Sequence, residues 1–356
     1  MGEIGARVEA GVSHAPPPEK LREFLRGSIT PAGAGASYPR ADARDRDRLP
    51  GDTWAAACIP AGVRFEFSGS FTELEVDYVT MTDDLGYRGD GAGRNFSLWK
   101  DGELVAEQLA QLGRGTVVLN VSTNNSSAPR SSDRWILYLP EGMKPTVYDI
   151  RAKHGQLHPR GNRRVWLAYG DSVAEGWTAS QPALSWPAIV GRDLDLDMVN
   201  WGYAGAARGE IVSAQQIAGL GHYCEGLDLI TVSHGTNCWT RIPFSRELME
   251  VQTRLYLEVL RQGHPDVPIL VISPVIRPDA ETTPNIFGAT LDDLRHAMED
   301  ATNSLIERGD KNLYLMSGAG MIEPDELADG IHPNDQGHQT MASKIGNKIS
   351  IILGLR

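Results

Sequence analysis

The sequence predicts two domains of different class, a β-sandwich over residues 1–155 and an α/β/α domain with a five-stranded parallel sheet over 156–356. Three observations predict this. Short strand-like runs follow one another without helical periodicity from Val63 to Ile150. Apolar runs alternate with helical patterns from Val165 onward, and a polar, arginine-rich stretch at His154–Arg164 separates the two textures. A chain of 356 residues also exceeds the length of a usual single domain.

In the first region, Val63-Arg64-Phe65-Glu66-Phe67, Leu74-Glu75-Val76-Asp77-Tyr78 and Phe96-Ser97-Leu98-Trp99 place apolar residues at alternate positions, the pattern of half-buried strands. Lys100-Asp101-Gly102-Glu103 is a hairpin turn, and Thr116–Val121, Arg134–Leu139 and Thr146–Ile150 add strands at short spacing. Together they predict a sandwich of the jelly-roll kind. A short helix is expected around Glu19–Leu25. The aromatics Trp54, Tyr87, Trp99 and Trp135 serve either as a sugar platform or as core. His154–Arg164 reads as a solvated linker, and its basic residues with Lys153 leave open a lip for an anionic acyl donor.

In the second region the expected strands are Val165–Tyr169, Met198–Asn200, Leu229–Ser233, Pro268–Ser273 and Asn312–Met316. A helix starts near Ser245, with Leu248, Val251, Leu255 and Val259 at helical spacing, and ends at Gly263-His264-Pro265. Another starts at Thr290, with Asp293 at the capping-box position, and ends at Gly309. Strand and helix in alternation make a parallel sheet covered on both faces, whose sites lie beyond the carboxyl ends of its strands.

The formal net charge of −12 argues against nucleic acid as a partner. No 18-residue apolar run points to a membrane, and Met1–Glu19 lacks a secretion pattern, so a cytoplasmic location is expected. Cys58, Cys224 and Cys238 form neither a disulfide framework nor a zinc pattern.

Two fragments carry chemistry. Gly170-Asp171-Ser172 sets a hydroxyl at the end of the first parallel strand, and Asp329-Gly330-Ile331-His332 sets a carboxylate beside an imidazole. An imidazole that takes a serine proton needs such a carboxylate to fix its tautomer, so Ser172, His332 and Asp329 read as nucleophile, base and orienting acid. The oxyanion formed by acyl transfer needs donors set in advance. Ser172 and Gly205 offer backbone N–H groups and Asn237 a side-chain amide, and all three follow strands of one sheet in order. Cys238 and His222, His264, His296 and His338 read as structural or incidental.

With these residues in place, the region from Val165 to Arg356 resembles the SGNH/GDSL hydrolase superfamily. Tyr169-Gly170-Asp171-Ser172-Val173 matches its first block, Val199–Gly205 the second, Gly235-Thr236-Asn237 the third and Asp329–Asn334 the fifth. The resemblance implies a flavodoxin-like fold, a Ser172–His332–Asp329 triad, Gly205 and Asn237 as oxyanion donors, and no metal or redox cofactor. Val173 replaces the usual leucine, and Cys238 stands where the third block usually has aspartate. The β-rich front half looks like the carbohydrate-binding-module-like domain of some two-domain members, and this arrangement, with the Gly170–Trp177 and Tyr203–Glu210 stretches, is similar to actinobacterial GDSL acyltransferases of tetracycline-type polyketide biosynthesis. That resemblance implies transfer of an acyl group from a thioester such as an acyl-CoA to a hydroxylated acceptor. An esterase is the alternative, and a non-catalytic carbohydrate- or ligand-binding protein is the alternative of another class.

Overall fold

The computed structural model describes residues 18–86, 88–121, 132–222 and 226–355; Tyr87 and Cys224 lie outside them. The chain forms two compact units. The first takes residues up to Ala43 together with Cys58–Asn162 and Ser180–Ala183. The second takes Arg44–Ala57, Arg163–Ala179 and Leu184–Arg356. Of two early helices, α1 (Gly51–Ala57) belongs to the second unit and α2 (Asp90–Gly93) to the first.

The first unit is a sandwich of two antiparallel sheets. Its strands are β1 (Leu25–Arg26), β2 (Arg64–Ser70), β3 (Glu73–Thr80), β4 (Asn95–Lys100), β5 (Glu103–Leu109), β6 (Gly113–Asn120), β7 (Arg134–Tyr138), β8 (Thr146–Lys153) and β9 (Gln156–Pro159). One sheet runs β1-β2-β7-β4-β5 with β9 on the flank of β2, and the other runs β6-β3-β8. The alternating residues seen in sequence meet in its core, where Phe65, Phe67, Val76, Phe96, Leu98, Val117, Trp135 and Leu137 pack together. Asp101 and Gly102 take the left-handed conformation that a tight hairpin turn demands, at φ 48° and 92°.

Two expectations resolve differently, and the aromatics settle on the second of their two readings. The Glu19–Leu25 segment is a single 3₁₀ turn, Glu19–Leu21, that gives way to β1. The His154–Arg164 stretch contains β9, paired antiparallel with β2; its polar side chains hid a strand whose stability comes from the backbone ladder. Trp54, Trp99 and Trp135 are buried, so they pack as core and form no platform.

The second unit is built on β10 (Val165–Gly170), β11 (Asp197–Gly202), β12 (Leu229–Ser233), β13 (Ile269–Ile272) and β14 (Leu313–Met316), all parallel, in the order β11-β10-β12-β13-β14. Between and around them run α3 (Ser172–Glu175), α4 (Trp186–Asp193), α5 (Ile211–Ala218), α6 (Thr236–Thr240), α7 (Arg246–Gly263), α8 (Leu291–Glu307) and α9 (Asp335–Leu353). Helices on both faces bury β12 completely and β10 from Trp166 onward, which is why those strands read as apolar runs. The order reverses at β10, the kind of switch point beyond whose carboxyl end open parallel sheets place their sites.

The helix ends follow their capping chemistry. Ser245 accepts from the Leu248 amide, and Thr290 and Asp293 cap each other reciprocally. On α7 the apolar stripe read from sequence is the outer one. Leu248, Val251 and Leu255 are exposed, while Met249, Thr253, Tyr256, Leu257 and Leu260 face inward. Both faces carry apolar residues, so periodicity alone did not choose between them.

Candidate active site

Ser172 opens α3 directly after β10, and only 5% of it is exposed. Its Oγ lies 2.8 Å from His332 Nε2, and His332 Nδ1 lies 2.8 Å from Asp329 Oδ2. The other Asp329 oxygen accepts from the amides of His332 at 2.8 Å and Ile331 at 3.0 Å. Partial burial raises the Asp329 carboxyl, but the imidazole and these amides together outweigh it and hold the acid below its ordinary value. An ionised carboxylate only accepts, so the imidazole proton sits on Nδ1, and Nε2 presents its lone pair to the serine hydroxyl.

Three strand ends are tied together around this hydroxyl. Asp171 caps α3 by accepting from the Val173 amide at 3.0 Å, and it also takes hydrogen bonds from the amides of Gly235 and Thr236. Burial dominates there and pushes the Asp171 carboxyl up to about 6 despite those donors. Asn200, fully buried on β11, donates to the Ala174 carbonyl at 2.9 Å and accepts from the Gly202 amide at 2.8 Å. A side chain at Gly202 would put its Cβ 2.2 Å from the Glu175 nitrogen, so only glycine lets β11 approach α3 this closely.

The expected oxyanion donors sit on these same loops. Gly205 has φ +69°, a conformation that side chains disfavour, and the space a Cβ would take is flanked by the Arg241 guanidinium at 3.2 Å. Asn237 is 5% exposed, and its Nδ2 has no partner among the described residues. A buried amide donor left open is costly unless something fills it, which marks the position as one awaiting an acceptor.

Sequence reasoning missed several supports. Trp177 lies with its ring centroid 5.9 Å from that of His332. His338, read as incidental, accepts from the Trp186 amide through Nδ1 and faces the Trp177 carbonyl through Nε2, both at 3.3 Å. Burial lowers it to about 4, so it stays neutral and donates from Nε2. Asp171 and Asn200 carry no sign of these roles in the sequence; burial, which single residues do not announce, gives both their work. The Cys238 thiol is fully buried, and burial followed by the charges of Glu210 and Asp171 pushes it well above its ordinary value, leaving it protonated and a poor nucleophile.

The model of the GDSL-like lipase/acylhydrolase family matches residues 163–350, more than half of the chain. The chain belongs to that family. Membership makes this GDSL protein an enzyme and sets aside the non-catalytic binding protein. Comparison with curated proteins finds no match. Among solved structures, the salicylyl-acyltransferase SsfX3 from a tetracycline biosynthetic pathway aligns with a TM-score of 0.76 at 22% identity, covering 93% of this chain and 96% of that one. A GDSL-like lipase from Bacteroides ovatus aligns at 0.75 and 22% identity, covering 94% and 96%. A family two carbohydrate esterase from Clostridium thermocellum aligns at 0.64 and 16% identity, covering 83% and 94%. At these identities the likenesses show the fold, a β-rich domain joined to the GDSL domain. No helix among the described residues is long and apolar enough to cross a membrane.

Proposed function

We propose that this GDSL enzyme transfers acyl groups through an acyl-Ser172 intermediate. The carrying observation is the continuous hydrogen-bonded chain from Ser172 through His332 to Asp329. His332 Nε2 takes the Oγ proton as Ser172 attacks the acyl carbon, and Asp329 stabilises the imidazolium. The oxyanion is held by the Ser172 and Gly205 amides and by Asn237 Nδ2, whose open donor supports that role. The bond to the leaving group then breaks, and His332 returns its proton to the departing atom. An acceptor hydroxyl repeats the sequence in reverse, giving its proton to His332 and taking the acyl group.

The acyl donor in this reading is an activated thioester of acyl-CoA type, and the acceptor is a hydroxyl on a natural product such as a tetracycline-type polyketide. Such a donor fits a cytoplasmic reaction. Likeness along almost the whole chain to the salicylyl-acyltransferase supports it. Hydrolysis is the second reading, supported by the lipase and the carbohydrate esterase of the same two-part build.

Incubation with 4-nitrophenyl acetate, then with an acyl thioester plus candidate alcohols, separates the two. Alcohol-dependent ester formation supports transfer, and release of free acid alone supports hydrolysis. S172A is expected to lose about 10⁴-fold or more of either activity. A phosphonofluoridate should label Ser172, as read by mass spectrometry, and H332A should abolish the labelling; persistent labelling of a different serine would refute the assignment.

A further inference from the structure

The guanidinium of Arg241 occupies the space beside Gly205 where any other residue would carry its side chain. Arg241 follows α6, and its amide donates to the Asn237 carbonyl at 3.2 Å, so both residues leave the same face of the helix one turn apart. The cation therefore flanks the loop that carries Gly205 and the helix that carries Asn237.

Its side chain makes no ion pair or hydrogen bond with another described residue. That is notable in a chain where acids outnumber bases by 46 to 34. The basic stretch between the units differs in this respect. Lys153 pairs with Glu73 at 2.5 Å, Arg160 with Glu66 at 3.1 Å and Arg163 with Asp195 at 3.3 Å, while Arg164 donates to the Leu353 carbonyl at 2.7 Å. An anion recruiting those groups would have to break existing pairs; at Arg241 it would not.

Arg241 is exposed, and exposed apolar side chains lie on its own segment and on a loop bonded to that segment, where the Arg277 guanidinium also stacks 4.8 Å from the Trp239 ring. The Trp239 indole donates to the Thr283 carbonyl at 2.8 Å and the Asn285 amide to the Phe244 carbonyl at 2.9 Å. These two bonds tether the loop carrying Ile286 and Phe287 to the segment carrying Arg241 and Ile242. All three apolar side chains are exposed, at 84%, 63% and 53%. A substrate covering this rim would displace water from around the guanidinium, and its attraction for an anion would strengthen accordingly.

We propose that Arg241 is a specificity residue that binds a carboxylate or phosphate carried by the substrate next to the reacting carbonyl. The proposal rests on the reading of Ser172, Gly205 and Asn237 given above. Guanidinium presents a planar fork suited to either anion, held in two parallel hydrogen bonds. The anion belongs either to the acyl group or to the leaving group, as in a nucleotide-bearing thioester.

Two matched substrate pairs distinguish these sources in the full-length protein. Mono-4-nitrophenyl adipate against 4-nitrophenyl hexanoate places the charge on the acyl side. Acetyl-coenzyme A against S-acetyl-N-acetylcysteamine places it on the leaving-group side. In R241Q the ratio of kcat/KM for the charged over the neutral member is expected to fall about tenfold in at least one pair, with R241K, which keeps the charge but not the fork, restoring only part of it. The responding pair identifies the side. Should neither pair turn over, the same ratio is read from the rates at which a carboxyalkyl and an alkyl phosphonofluoridate label Ser172. Ratios unchanged in R241Q overturn the proposal, and so does an equal loss on charged and neutral members. Turnover that survives in S172A would instead overturn the reading of the site itself, so the two failures are separable.

Discussion

At the scale of single residues, the site separates groups that bear charge during the reaction from groups that only receive it. Asp329 is held ionised beside His332, whereas Asn237 keeps a buried donor open. N237A is therefore expected to lower kcat by about 10²–10³-fold with little change in KM, because the amide binds charge that develops only in the transition state. Equal losses in kcat and KM-limited binding, or none, would place Asn237 outside the oxyanion site. The meeting of Ser172, His332 and Asp329 was legible in the sequence because a Gly-Asp-Ser after a strand and an Asp-x-x-His near the end of the chain are recognisable neighbourhoods, although Ser and Asp are common residues. Asn200, His338 and Trp177 were not, since their roles depend on which carbonyls and amides surround them once buried.

At the scale of elements, the entry to α3 is the hinge of the arrangement. Asp171 joins β10, α3 and the loop before α6 through backbone amides, yet it is buried enough for its carboxyl to rise to about 6. A carboxyl raised from its unfolded value stabilises the fold fully at low pH and loses that contribution as pH climbs through about 6. The neutral buried imidazoles of His234 and His338, both lowered to about 4, act in the opposite sense across the same window. The Asp171 contribution is thus read as a difference. Between pH 4 and 6.5 the stability of the natural protein should fall relative to D171N by up to about 3 kcal/mol, measured by urea unfolding. Parallel pH profiles for the two proteins would contradict this. Element type was readable for the expected strands and for both capped helices, because capping and hairpin turns are local chemistry, but not at Glu19–Leu25 or in the stretch that holds β9. The buried face of α7 and the pairing of β9 were not, because each depends on a partner far along the chain.

At the scale of the whole chain, the segment Arg44–Ala57 precedes most of the sandwich in sequence but belongs to the GDSL unit. Asp52 there receives two hydrogen bonds from the buried Arg208, at 3.2 and 3.0 Å, and Thr53 donates to Glu210 at 3.2 Å. D52A should destabilise the protein by about 1 kcal/mol, because it strips a partner from a buried guanidinium while Glu210, at 3.6 Å, remains. An unchanged urea midpoint would show that the segment adds nothing to that unit. The order of blocks, the two strand textures and the candidate reacting side chains were written in local residue chemistry and needed no coordinates. Which face of a helix turns inward, which early segment completes the second unit, and which cation stands unpaired beside Gly205 were settled only by folding. These are contacts between distant positions, and burial and pairing are properties of a place in space that no stretch of neighbouring residues carries alone.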